Sequence, residues 1–187
     1  MWSSDRLEIR TAASISSPSA GRLKGYAAVF DTPADLGEFT ESIKPGAFRR
    51  TLIDADVRAL YDHARGDILG RTKSGTLRLQ EDARGLAFEL DLPDTTLGRD
   101  LSVLVERGDV GGCSFGFRCA VGGDRWETRS GRLHRELVDI DLHEVTLTAW
   151  PAYRETEVVK RSLNLAMTGR DYHAANLDLW LQTVVIA

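Results

Sequence analysis

Apolar and polar residues alternate with a period of two in several segments of this chain, and its best helical stretch lies between them. Leu77 and Leu79, then Leu86, Phe88, Leu90 and Leu92, alternate on either side of a short Glu81–Gly85 connection, the pattern of a β-hairpin. The alternation resumes at Cys113–Val121, at Arg125–Arg129 and in a pair of strands between Leu133 and Ala149. Gly122-Gly123-Asp124 and Ser130-Gly131 supply the turns between them, and Pro151 ends the last strand. The helical stretch places Leu97, Leu101, Leu104 and Val105 at i, i+4, i+7 and i+8, with Thr95 or Thr96 as the cap and Gly108 as the stop.

Shorter signals precede these. Leu7–Arg10, Arg22–Phe30 and Val57–Tyr61 read as strands, and Ala47–Ile53, after Pro45-Gly46, reads as a short helix. Successive hairpins without regular βαβ alternation predict an α+β fold, a mainly antiparallel β-barrel with flanking helices. Residues 1–163 are expected to form one domain. Residues 164–187 form a tail, either helical around Ala174–Val184 or removable.

The charge balance narrows the function. A net charge of −4, a pI near 5.6 and no Lys/Arg cluster longer than a pair argue against nucleic acid as a partner. No apolar run approaches the ~20 residues of a membrane span, and the N-terminus lacks the apolar segment of a signal peptide, so no membrane partner is expected. On one strand, Cys113 and Cys119 would lie roughly 20 Å apart, too far for a disulfide, which points to free thiols and a cytoplasmic setting. The chain has no phosphate-binding Gly-Lys loop, no H-E-x-x-H and no zinc-type Cys/His spacing, so no metal and no cofactor are expected.

Gly112-Cys113-Ser114-Phe115-Gly116 matches G-x-S-x-G. An α/β-hydrolase elbow would need a helix after the serine, whereas here the helix precedes it and a strand follows. Strand parity puts Cys113, Phe115, Phe117, Cys119 and Val121 on an apolar face, and Ser114, Gly116, Arg118 and Ala120 on the other. Ser114 then points away from the core, with glycines nearby that let a peptide backbone approach. Cys113 packs as a small buried hydrophobe. A small serine between glycines, satisfied by backbone, is the bland alternative.

A serine nucleophile needs a base. His63 follows the Val57–Tyr61 strand and enters a Gly-containing loop, a common place for a functional side chain. His134 sits on a charged strand face, His143 shares the parity of Asp139 and Asp141, a face expected to be solvated, and His173 lies in the tail. Strict alternation after Val138, Ile140 and Leu142 puts Glu144 on the apolar side, where a carboxylate needs a partner such as an imidazolium. A strand end or bulge would return it to solvent, as Val145 and Leu147 on the opposite parity permit.

Four segments together resemble the prohead proteases of tailed phages, the serine proteases of capsid maturation. They are Gly25-Tyr26-Ala27-Ala28-Val29-Phe30 with Pro45-Gly46-Ala47-Phe48, then Leu60-Tyr61-Asp62-His63 with Leu69-Gly70-Arg71. Gly112-Cys113-Ser114-Phe115-Gly116-Phe117 follows, and finally Glu144-Val145-Thr146-Leu147 with Trp150-Pro151-Ala152. Their order and spacing cover residues 6–162. The resemblance implies a fold similar to the herpesvirus assembly proteases, a barrel surrounded by helices. It implies cleavage of scaffold segments of the major capsid protein, and of the protease itself, inside the immature capsid in the bacterial host. A homo-oligomer is expected. Carried over by position, Ser114 is the nucleophile, His63 the base and Glu144 the third member. The herpesvirus relatives use a second histidine there, which keeps His143 in play. Cys113 stands where the family often has a small residue or Met. Two other readings stay open: a non-enzymatic capsid or scaffold component on the same fold, and a cysteine hydrolase using Cys113. Arg71 and Arg118 are candidates for assisting an oxyanion hole.

Overall fold

A computed structural model of the chain describes residues 7–13, 15–19 and 21–149. The tail at 164–187, its proposed helix, His173 and the Trp150-Pro151-Ala152 segment lie outside the described residues.

Nine strands precede the helix: β1 (Glu8–Ala13), β2 (Ile15–Ser19), β3 (Arg22–Val29), β4 (Ala34–Asp35), β5 (Thr40–Ile43), β6 (Arg58–Tyr61), β7 (Ile68–Arg71), β8 (Leu77–Glu81) and β9 (Gly85–Asp91). After α1 (Thr96–Arg107) come β10 (Gly112–Cys119), β11 (Asp124–Arg129), β12 (Arg132–Leu137) and β13 (Ile140–Thr148).

The helix begins where its cap predicts. Thr95 is extended, and its hydroxyl accepts a hydrogen bond from the Gly98 amide at 3.2 Å. Gly108 closes the other end at φ 80°, a left-handed conformation that glycine adopts without a Cβ clash. The β8–β9 hairpin also forms as expected, with Leu77 opposite Leu90 and Leu79 opposite Phe88. Ser130 and Gly131, at φ 49° and 79°, turn β11 into β12.

Three expectations are corrected. The strands do not close into a barrel: the described residues form three open sheets, β1-β10-β13-β6-β7, β11-β12-β5-β4 and β2-β3-β9-β8. Among the described residues the edge strands are β1 and β7, β11 and β4, and β2 and β8, and β13–β6 and β12–β5 pair in parallel within otherwise antiparallel sheets. Secondly, α1 is the one helix among the described residues, so no set of helices flanks the sheets. Thirdly, Ala47–Ile53 is a run of turns. Its amides bond irregularly, Arg49 to the Gly46 carbonyl but Leu52 to the Phe48 carbonyl. Outside groups take part of its bonding capacity, with Glu81 accepting from the Phe48 amide and Thr51 Oγ1 from the Leu142 amide.

One apolar core joins the sheets. Phe48, Phe115 and Phe117 are fully enclosed, with ring centroids 5.8 Å apart for Phe48–Phe115 and 5.4 Å for Phe115–Phe117. Leu23, Leu86, Leu90, Leu101, Leu137 and Ile140 pack around them. The β10 parity is therefore as read from the sequence: Cys113, Phe115 and Phe117 face this core, and Ser114 and Gly116 face the opposite side of the five-stranded sheet.

Candidate active site

The site is a row of side chains across the middle of that sheet. Ser114 on β10 stands opposite Thr146 on β13, and Thr146 stands beside Leu60 on β6. In the next row Gly116 faces Glu144, and Glu144 neighbours Arg58. Paired residues share a face, so Ser114, Thr146 and Glu144 point the same way.

Glu144 reaches that face through an irregularity. The β10–β13 register shifts between Gly116 and Phe117: Gly116 pairs with Glu144, Phe117 with Leu142, and His143 is the extra residue. Strict alternation would have sent Glu144 to the core with Leu142. The bulge resets the parity, placing Val145 and Leu147 in the core and Glu144 on the Ser114 side, still only 8% exposed. The bulge anticipated as an alternative thus occurs, but it delivers Glu144 to a covered face rather than to solvent.

Gly116 makes the room. A Cβ there would lie 2.8 Å from Glu144 Cγ and 3.1 Å from its Oε1, inside ordinary contact distance. The space beside this glycine is filled by the Glu144 carboxylate, not left open for a peptide backbone.

His63 arrives from the end of β6. Asp62 and His63 are consecutive non-glycine residues at φ 50° and 58°, an uncommon conformation that needs support from its surroundings. The support is specific. The Asp62 amide donates to the Leu147 carbonyl at 3.0 Å, and Thr148 Oγ1 donates to Asp62 Oδ1 at 2.9 Å. The Ala64 amide closes the turn on the Tyr61 carbonyl at 3.0 Å. The chain doubles back, and His63 Nδ1 meets Glu144 Oε1 at 2.5 Å. A carboxylate on Nδ1 fixes the hydrogen there and leaves Nε2 as the basic nitrogen. That Nε2 is buried and has no hydrogen-bond partner among the described residues. Thus His63 and Glu144 are joined, while Ser114, fully buried on the neighbouring strand, is not bonded to His63 Nε2 in this arrangement.

The remaining candidates fall elsewhere. Cys113 is fully buried on the core face, and burial pushes its thiol up to about 12, which removes the thiolate that a cysteine nucleophile requires. Cys119 is likewise buried and free. His134, read as part of a charged strand face, is buried. It is 1% exposed, with Nδ1 2.7 Å from Thr40 Oγ1 and Nε2 2.9 Å from Ser42 Oγ. His143, expected on a solvated face, is half-buried, and its Nε2 is enclosed without a partner. Burial, followed by the charge of Arg118, lowers its affinity for a proton. Arg71 forms an ion pair with Asp56 on the outer strand β7, while Arg118 shares the Ser114 face and pairs in register with Asp141.

Sequence reasoning gave Thr146 no role, although it lies between Ser114 and the His63–Glu144 pair. A threonine in a strand is ordinary, and only the register reveals its place. Among the described residues no three His, Cys, Asp or Glu side chains converge as metal ligands, and no helix is long and apolar enough to cross a membrane.

No curated protein matches the sequence significantly. The structure is similar to that of the bacteriophage T4 capsid assembly protease, with a TM-score of 0.57 at 10% identity over 78% of this chain and 98% of that one. At that identity the likeness is one of fold. The sequence profile of the caudovirus prohead serine proteases matches residues 6–169, nearly the whole chain, and the chain belongs to that family.

Proposed function

We propose that this protein is the maturation endopeptidase of a prohead, with Ser114 as nucleophile, His63 as general base and Glu144 as the residue that orients His63. The observation that carries the reading is the His63 Nδ1–Glu144 Oε1 contact of 2.5 Å, beside a buried, unpartnered Nε2 on the face of Ser114. Rotation of the Ser114 side chain toward Nε2 completes the relay, since catalytic hydrogen bonds often form only in the substrate complex.

The chemistry is acyl transfer. Ser114 Oγ attacks the scissile carbonyl carbon while His63 Nε2 takes its proton, and the imidazolium then gives that proton to the leaving amine. Glu144 stabilises the imidazolium without itself becoming protonated. Water, deprotonated by His63, hydrolyses the acyl-enzyme and restores Ser114. Only the neutral ring accepts a proton, so activity falls on acidification. The substrate is a segment of the major capsid protein or its scaffold, and the protease itself, cut inside the immature capsid in the host cytoplasm. The protein acts as a homo-oligomer, and residues 164–187 form a tail outside the protease domain of residues 1–163. His63–Glu144 pairing favours a carboxylate over a second histidine as the third member.

The test is cleavage of co-expressed capsid or scaffold protein. Ser114→Ala is expected to abolish it and His63→Ala to reduce it roughly 10³-fold or more, both with folding intact. Near-normal turnover in either variant would end the reading. No cleavage by the wild type either would favour a structural role in the capsid.

A further inference from the structure

Thr146 is fully buried, and its Oγ1 has no hydrogen-bond partner among the described residues. Other buried hydroxyls behave differently. Ser42 Oγ meets His134, Thr51 Oγ1 accepts from the Leu142 amide, and Thr148 Oγ1 holds Asp62. Packing does not account for a threonine here, because valine has the same shape, a higher β preference and no polar atom to desolvate. A buried polar group without a partner calls for a cause, and a catalytic role is one of the recognised ones.

Its position supplies the cause. Thr146 is the direct cross-strand neighbour of Ser114. Along β13 it stands between Thr148, which holds Asp62, and Glu144, which holds His63. The unpartnered Thr146 Oγ1 therefore stands across from Ser114, on the face where Glu144 holds His63, whose Nε2 is unpartnered as well. Cross-strand Cβ atoms lie about 4.5–5.5 Å apart, so a side-chain rotation brings two facing hydroxyls within hydrogen-bond reach.

We propose that Thr146 is a positioning residue, whose Oγ1–H donates to Ser114 Oγ when that hydroxyl turns to give its own hydrogen to His63 Nε2. Ser114 Oγ then holds one hydrogen bond as donor and one as acceptor, and its remaining lone pair points at the substrate carbonyl. During attack the Ser114 proton moves to His63 Nε2, the new bond forms from Oγ to the carbonyl carbon, and the C=O π pair goes to the carbonyl oxygen. Thr146 keeps its proton throughout and holds Oγ in the attacking orientation. The inference rests on Ser114 being the nucleophile.

The experiment compares wild type, Thr146→Val and Thr146→Ser in the full chain. Three quantities are measured: the rate of Ser114 labelling by a fluorophosphonate probe, kcat and KM on one peptide, and the thermal midpoint. Thr146→Val is expected to lose roughly 10- to 100-fold in both labelling rate and kcat, with KM unchanged. Its midpoint should equal or exceed that of the wild type. Thr146→Ser, which restores the hydroxyl, should recover most of the rate. A valine variant that labels at the wild-type rate overturns the inference, and so does one that melts lower, because the hydroxyl is then structural. Wild-type protein that labels elsewhere than Ser114 overturns the functional reading itself, a separate result.

Discussion

Two buried polar clusters occupy opposite faces of the β1–β10 ladder, and they are built to different standards. On the core face, Glu8 and Arg10 stand opposite Phe117 and Phe115 and join Glu41 and Arg135 in an enclosed ion network. Arg10 bonds Glu41 twice, at 2.5 and 2.9 Å, and Glu8 at 2.9 Å, and Arg135 bonds Glu8 at 2.8 Å and Asp124 at 2.8 Å. Burial works against the charge on Glu41, but Arg10 and Arg135 outweigh it and hold its carboxyl below the ordinary range. On the other face, His63 has one nitrogen bonded and one bare, and Thr146 is bare as well. The histidines repeat the contrast: His134 has a partner for both ring nitrogens, whereas His63 has one for only one. A saturated network rigidifies its surroundings, while buried polar atoms left without partners call for another cause, of which a catalytic role is one.

The contrast is broken if substitutions in the two clusters give the same phenotype. The largest separation is expected on the site face. Glu144→Gln keeps the shape of the side chain but removes the charge that stabilises protonated His63, and should lower kcat roughly 10²- to 10⁴-fold with little change in stability. His143→Gln, at the bulge but without a bond to His63, should cost less than about 10-fold, measured on the same peptide with circular dichroism as the folding control. A large loss for His143→Gln with little for Glu144→Gln would show that a second histidine is the third member.

An effect of another kind, on stability rather than rate, is expected in the ion network. Glu41→Gln leaves two buried guanidinium groups short of one charge and should destabilise the fold by about 3–5 kcal/mol while kcat of the folded fraction stays unchanged. The pH dependence sharpens this. The folded-state carboxyl of Glu41 is depressed, so its stabilisation is complete above the unfolded value of 4.5 and is lost as pH falls through the lower folded value. Denaturant titrations should show this acid-side loss in the wild type and a shallower one in Glu41→Gln. Equal slopes would mean that the network is not the acid-labile element.

The sequence made one half of the site easy to find and hid the other. Ser114 was legible because glycines and an alternating strand fix its face, and His63 because it follows a strand and enters a Gly-containing loop. The α1 cap and stop and the β8–β9 hairpin were legible because their signals are local. The parallel pairings of β13 with β6 and β12 with β5 join segments more than eighty residues apart in sequence, and no local pattern encodes them. The barrel was misjudged for the same reason, since closure depends on which edges meet. Glu144 was obscured by a single-residue bulge at His143, because one extra residue inverts every later assignment of face. The Ala47–Ile53 segment forms turns instead, its Phe48 amide donating to Glu81 and its Thr51 hydroxyl accepting from Leu142, long-range contacts that no local pattern encodes.

The unpartnered Nε2 of His63 is proposed to serve Ser114 and not its neighbour Cys113. A fluorophosphonate probe reacted with the full-length protein and mapped by mass spectrometry tests it directly. The adduct is predicted on Ser114, absent in Ser114→Ala and His63→Ala, and retained in Cys113→Ala. An adduct on Cys113, or labelling of Ser114 that survives His63→Ala undiminished, would contradict it.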